Sequence, residues 1–191
     1  MILEIVKYGH PVLRKKGARI GNITPEIQRL IRDMLETLRD AKGVGLAAQQ
    51  VGHALQLAVL DVRGVPERPS TMEINGAPVS IEDHMPLVVI NPELTPVGEK
   101  VAGPEGCLSF PEIFTDITRP ASVDVRALDG NWKVIQFRCG GLLARAAQHE
   151  ADHLNGILFI DRMTRKDKDE IQDELDDLQA DTKAEIKKAS G

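Results

Sequence analysis

The stretch Gln148-His-Glu-Ala-Asp-His153 constrains this chain more than any other. Two histidines four apart lie one turn apart on the same side of a helix, so both imidazoles can reach one ion. Gly140-Gly141 opens that helix, which the sequence places over residues 142–154, and Asn155-Gly156 closes it with a C-terminal glycine. Glu150 stands beside the first histidine, close enough to touch a metal-bound water. The remaining elements have to be read around this helix.

Two histidines make an incomplete site, because a hydrolytic metal has three protein ligands and one open position. A zinc endopeptidase built on the same helix would find its third ligand downstream. Phe159 occupies the position of the extended histidine form, and Glu170 or Glu174 would have to serve from a polar tail. The better candidate lies upstream. Gly103-Pro-Glu-Gly-Cys-Leu-Ser-Phe-Pro111 puts Cys107 between glycine- and proline-rich turns, where backbone can approach a ligand and a thiolate beside a dication stays deprotonated. Standing alone, that stretch would read as a half-buried loop thiol. Cys139 closes the alternating run Val134-Ile-Gln-Phe-Arg-Cys139 and reads as a core thiol. A third stretch, Gly43 to Gly52, is glycine-rich with small Ala47-Ala48, but lacks the spacing of a phosphate loop.

With 191 residues the chain fits one domain with a core of its own. Only four Phe, one Tyr and one Trp are present, so Leu, Ile and Val must supply most of that core. The net charge of −5, without a long Lys/Arg cluster, argues against a direct nucleic-acid footprint. No apolar run approaches the roughly 18 residues a membrane span needs. The first residues lack the pattern of a signal peptide, so the expected compartment is the reducing cytoplasm, with free thiols.

A helix is expected over residues 25–41, with Thr24 as N-cap, Pro25 at the first helical position, and Ile27, Leu30, Ile31, Met34, Leu35 and Leu38 as its buried stripe. Residues 1–7 read as a short strand, and 57–62 as another. Residues 63–85 hold three Pro and many polar groups, and read as a long loop or a β-excursion. Residues 86–90 form a buried-type strand stopped by Asn91-Pro92. Residues 122–128 and 133–139 alternate around Asp129-Gly130-Asn131, a hairpin signal. From residue 165 the chain carries six basic and nine acidic residues, with Ile171, Leu175 and Leu178 weakly marking a solvated helix with a frayed end. The fold class is α+β: antiparallel strands around a central metal-binding helix, with N- and C-terminal helices. Residues 1–164 form the expected catalytic domain and 165–191 a charged helical tail.

Read together, Gly43-Val-Gly-Leu-Ala-Ala-Gln-Gln50, Glu105-Gly-Cys-Leu-Ser109 and Gln148-His-Glu-Ala-Asp-His153 resemble the three ordered motifs of bacterial peptide deformylases. The likeness runs from Lys7-Tyr-Gly-His-Pro-Val-Leu-Arg14 to about Asp161. It implies removal of the N-formyl group from the formyl-methionine of newly made polypeptides by a metal-bound water. Cys107, His149 and His153 would hold one divalent ion, Fe(2+) by family habit, with Zn(2+), Ni(2+) or Co(2+) as substitutes. Glu150 would act as general base and then acid, and Gln50 and the Leu108 N–H would stabilise the oxyanion. Val44, Gly45 and Gly106 would hold the peptide extended, while Val44, Leu142 and Ala146 line a methionine slot with the His149 ring. Arg145 falls near that wall, its stem expected to pack and its head to reach solvent. Two departures stand out. The 63–85 segment is longer than the compact pattern, and the tail is acidic where some relatives dock on the ribosome with a basic helix, so weak or different docking is expected.

Overall fold

The computed structural model describes residues 1–190. Thr24 begins the first helix as expected, its hydroxyl accepting from the Ile27 N–H at 3.2 Å. The helix, α1, spans Pro25–Asp40 and buries Leu30, Ile31, Met34 and Leu38. The chain continues through β1 (Gly45–Ala47), β2 (Leu57–Leu60), β3 (Ser70–Ile74), β4 (Ala77–Pro78), β5 (Leu87–Cys107), β6 (Phe110–Leu128) and β7 (Val134–Gly140). Helices α2 (Gly141–Leu154), α3 (Arg165–Glu170) and α4 (Gln172–Ala189) complete it. The strands form one antiparallel sheet in the order β1-β2-β5-β6-β7-β3-β4. Helix α2 packs on all of these strands except β4, and is the central helix that the two histidines required.

Two sequence expectations change, and an open alternative resolves. Residues 1–7 form no strand: they have isolated bonds, such as Val6 N–H to the Gln50 carbonyl at 2.9 Å, instead of a ladder. Asn91-Pro92 does not stop β5. Asn91 adopts φ +49° at a register shift, and its side-chain amide brackets Ile20, accepting from its N–H at 2.9 Å and donating to its carbonyl at 2.8 Å. The strand bulges there and continues. Beyond residue 90 β5 has left β2 and pairs only with β6, so Pro92, Pro96 and Pro104 fall where one edge is free. The 63–85 segment is a β-excursion. Asn75-Gly76, with φ +53° and +76°, turns β3 into β4, and β3 pairs with β7 on the far side of the sheet.

Three apolar clusters result. One lies between α2 and the sheet, with Leu143, Ala144, Leu154 and Val123 fully enclosed. A second holds α1 against β1 and β2. The third gathers Leu13, Phe110, Ile117, Leu158, Phe159 and Ile160 around Leu175 of α4. The tail therefore docks, with Leu175 1% exposed, where a solvated helix was expected. Among the described residues no helix is long and apolar enough to cross a membrane.

Candidate metal centre and substrate cleft

Cys107 ends β5 one step before the two-residue turn Leu108-Ser109. A register shift between Gly106 and Cys107 breaks the regular alternation at that point. His149 and His153 come from the facing side of α2, their ring centroids 5.0 Å apart. The Cys107 Sγ lies 3.3 Å from His153 Nε2, and all three ligand atoms fall within 4.8 Å of one another. Ligands at about 2.1 Å (N) and 2.3 Å (S) in a tetrahedral site sit roughly 3.5 Å apart, so the separations suit one ion. One soft sulfur and two imidazoles suit Zn, Fe, Co or Ni. Glu170 and Glu174 are exposed and stand outside this cluster.

Buried charges order the centre. Glu105 accepts from Arg119 through both nitrogens of its fork at 2.5 and 2.9 Å, from Arg145 at 2.9 Å, and faces His149 Nδ1 at 2.9 Å. That bond leaves the Nε2 side of the ring toward Cys107. Arg119 also donates to Asp152, which holds Arg162 bidentately at 3.0 and 2.7 Å. Burial resists ionisation of Glu105, but hydrogen bonds to His149 and Arg119 outweigh it and bring the carboxyl down to about 2. Burial also opposes the His149 imidazolium, yet hydrogen bonds to Cys107 and Glu105 raise it well above the ordinary histidine value. For His153, burial and then the charge of His149 push it well below. His149 is thus favoured as imidazolium and His153 as neutral imidazole, and a metal cation beside the sulfur would take the place of that positive charge.

Glu150 is buried, with Oε2 lacking any partner, and burial lifts it to about 7. Gly45 makes room for it: a Cβ there would stand 2.3 Å from Glu150 Oε1. Gln50 is oriented by Ala47, whose N–H donates to its Oε1 at 2.9 Å, so that Nε2 faces Cys107 Sγ at 3.5 Å and Ser109 Oγ at 3.3 Å. A cleft of about 480 Å³ opens onto this group, lined by Val44, Gly45, Gln50, Gly106, Cys107, Leu108, Leu142, Arg145, Ala146, His149 and Glu150. His153 lies behind the wall at 1% exposure. The Arg145 head does not reach solvent: it donates to Glu105 and to the carbonyls of Ile117 and Val101 at 2.6 and 3.0 Å. Sequence reasoning gave no role to Glu105, Arg119, Asp152 or Arg162. Two signals were present, since Glu105 is two residues before Cys107 and Asp152 falls between the histidines.

An α+β fold that converges a thiol, two imidazoles and an unpartnered carboxylate at the end of a cleft is of the mononuclear metal-hydrolase kind. The family model for polypeptide deformylase matches residues 2–169. A peptide deformylase of Methylacidiphilum infernorum is 47% identical, the match covering 93% of both chains, and one of Opitutus terrae is 44% identical over 98% of both. The crystal structure of a peptide deformylase from Synechococcus elongatus in complex with actinonin superposes with a TM-score of 0.76 at 38% identity, covering 90% of this chain and 85% of that one. This chain belongs to the polypeptide deformylase family.

Proposed function

We propose that this chain is a metal-dependent peptide deformylase, hydrolysing the N-formyl group of formyl-methionyl nascent peptides to release formate and a free amine. The observation that carries the reading is the convergence of Cys107, His149 and His153 beside Glu150, at the end of the cleft. We assign those three residues as ligands of one divalent ion, ferrous iron in the cell on the family likeness. Bound there, the ion supplies a Lewis acid and lowers the pKa of water toward neutrality.

The chain's own groups supply the rest. Glu150, poised near neutrality, takes the proton of the attacking water and delivers it to the amine as the formyl C–N bond breaks. Gln50 Nε2 and the Leu108 N–H donate to the formyl oxygen as it gains charge, each worth roughly 3–4 kcal/mol. The outer edge of β1 has no strand partner, so Val44 and Gly45 on one side and Gly106 on the other can hold the peptide as an added strand. Leu142, Ala146, Val44 and the His149 ring form an apolar slot for methionine, while Arg145 braces its wall from behind. Substrates of this kind place the enzyme in the cytoplasm, in transient reach of the ribosome. Residues 1–164 carry the catalytic site and 165–191 a helical appendage.

Anaerobically purified protein should release formate from formyl-Met peptides without cutting internal peptide bonds. Cleavage inside the peptide would favour the endopeptidase reading instead. Glu150→Gln should keep its metal and lose at least about 100-fold in turnover.

A further inference from the structure

Phe114 stands apart from the other three phenylalanines. Phe110 and Phe159 are 1% exposed and Phe137 6%, whereas Phe114 is 74% exposed. Its position follows from β6: Ile113 and Ile117 share the face that enters the third cluster, so alternation turns Phe114 to the opposite face. There it pairs across the ribbon with Gly106, the residue before Cys107, and lines the cleft. Gly106 gives the ring its place. A Cβ at 106 would stand 2.6 Å from the Phe114 Cε1, so the absent side chain lets the ring lie over bare backbone.

An exposed aromatic ring costs solubility and adds little to the fold, so its location on the lip of a substrate cleft is informative. The charged groups around the lip are partly engaged. Lys7 Nζ donates to the Leu108 carbonyl at 3.1 Å, and the Arg68 guanidinium to that of Pro104 at 3.0 Å. A peptide whose formyl group lies by Cys107 and whose methionine fills the inner slot advances about 3.3 Å per residue toward the mouth. Its next side chains come within reach of the ring.

We propose that Phe114 is a specificity-determining residue: an apolar platform for the one or two side chains that follow the formyl-methionine, favouring substrates with aliphatic or aromatic residues there. This rests on the deformylase reading. A ring face offers such side chains buried area and excludes water, and it offers nothing to a carboxylate.

The test compares kcat and KM on formyl-Met-Leu, formyl-Met-Ala and formyl-Met-Asp tripeptide amides, with the third position then varied in the same way. The wild-type enzyme should favour Leu over Ala roughly tenfold in kcat/KM at one of the two positions, through KM. Phe114→Ala should bring that ratio near one, and Phe114→Leu should restore part of it. The urea midpoint of Phe114→Ala should stay at the wild-type value, as befits an exposed ring. A wild-type enzyme without the Leu preference, one preferring Asp in a salt-sensitive way, or a ratio unmoved in Phe114→Ala would each overturn the proposal. Failure of the wild-type enzyme on every formyl peptide would instead overturn the deformylase reading, and this inference with it.

Discussion

Glu105 meets three buried side chains at once, Arg119, Arg145 and His149, through four hydrogen bonds, and its charge offsets theirs. Arg145 has it as sole carboxylate partner, and His149 is turned by it. Glu105→Gln keeps the shape and removes the charge, leaving a buried guanidinium uncompensated at a cost of about 3–5 kcal/mol. Metal affinity should fall roughly 10- to 100-fold, because the His149 ring, a proposed ligand, loses its anchor. The pH dependence has a definite sign. The folded carboxyl is depressed from 4.5 to about 2, so its contribution is complete above about 4.5 and fades as pH falls toward 2. Urea melts between pH 5 and pH 2 should lose stability more steeply in the wild-type protein than in Glu105→Gln. The two thiols give a second prediction. Burial pushes Cys139 up to about 12, which leaves roughly one part in ten thousand as thiolate at pH 8. Iodoacetamide should spare Cys139 until the protein unfolds, and should modify Cys107 in metal-free protein, which mass spectrometry of the labelled peptides would resolve. At this scale the candidate ligands were legible, the two histidines from their spacing in one short motif and Cys107 from a second motif upstream. Glu105, Arg119 and Asp152 were not, because their pairings span 14 and 33 residues and depend on how a ribbon meets a helix.

Helix α2 has no capping side chain of its own, since its N-cap is Gly140. The excursion supplies the missing acceptors: the Pro69 carbonyl takes the Leu142 N–H at 3.1 Å, and Ser70 Oγ takes the Leu143 N–H at 3.0 Å. Gly141 is required there, at φ +65°, with the Pro69 oxygen 2.1 Å from where a Cβ would be. The long 63–85 segment thus fixes the start of the helix that carries both histidines. Ser70→Ala should cost about 1 kcal/mol, the usual loss on removing a cap, seen as a lower urea midpoint. From sequence the helix could be placed but its cap could not, because Ser70 lies 73 residues upstream. The hairpin inside the excursion did leave a mark in Asn75-Gly76, a strong two-residue turn signal that the prolines around it obscured. The two long strands were hidden for a related reason: prolines read as strand breakers, and only the ribbon's free edges make them tolerable.

Across the whole molecule the third cluster joins the C-terminal helices to the catalytic centre. Leu175 of α4 is enclosed with Phe110 and Phe159, Cys107 packs against the same cluster, and Phe159 tilts against the His149 ring at 5.9 Å. The N-terminal segment closes the other side, where a Cβ on Gly9 would stand 2.9 Å from the Gln179 carbonyl oxygen. The sequence showed the charges of this tail plainly, and its three apolar residues too faintly to outweigh them. A single stripe is enough, since Ile171, Leu175 and Leu178 recur at helical spacing and the acids between them face water. The outward face is acidic, so ribosome binding through residues 165–191 should be weak and should not strengthen as salt is lowered, which co-sedimentation would check. The inward face carries the larger consequence. Leu175→Ala opens a cavity in the cluster that backs both Cys107 and Phe159, and should cost about 2–5 kcal/mol in urea unfolding. Because that cluster backs Cys107 of β5 and the His149 ring of α2, two of the proposed ligands, metal should leave the variant faster than the wild-type protein when a chelator is added. Equal release rates would mean that the tail stabilises the fold without steadying the centre.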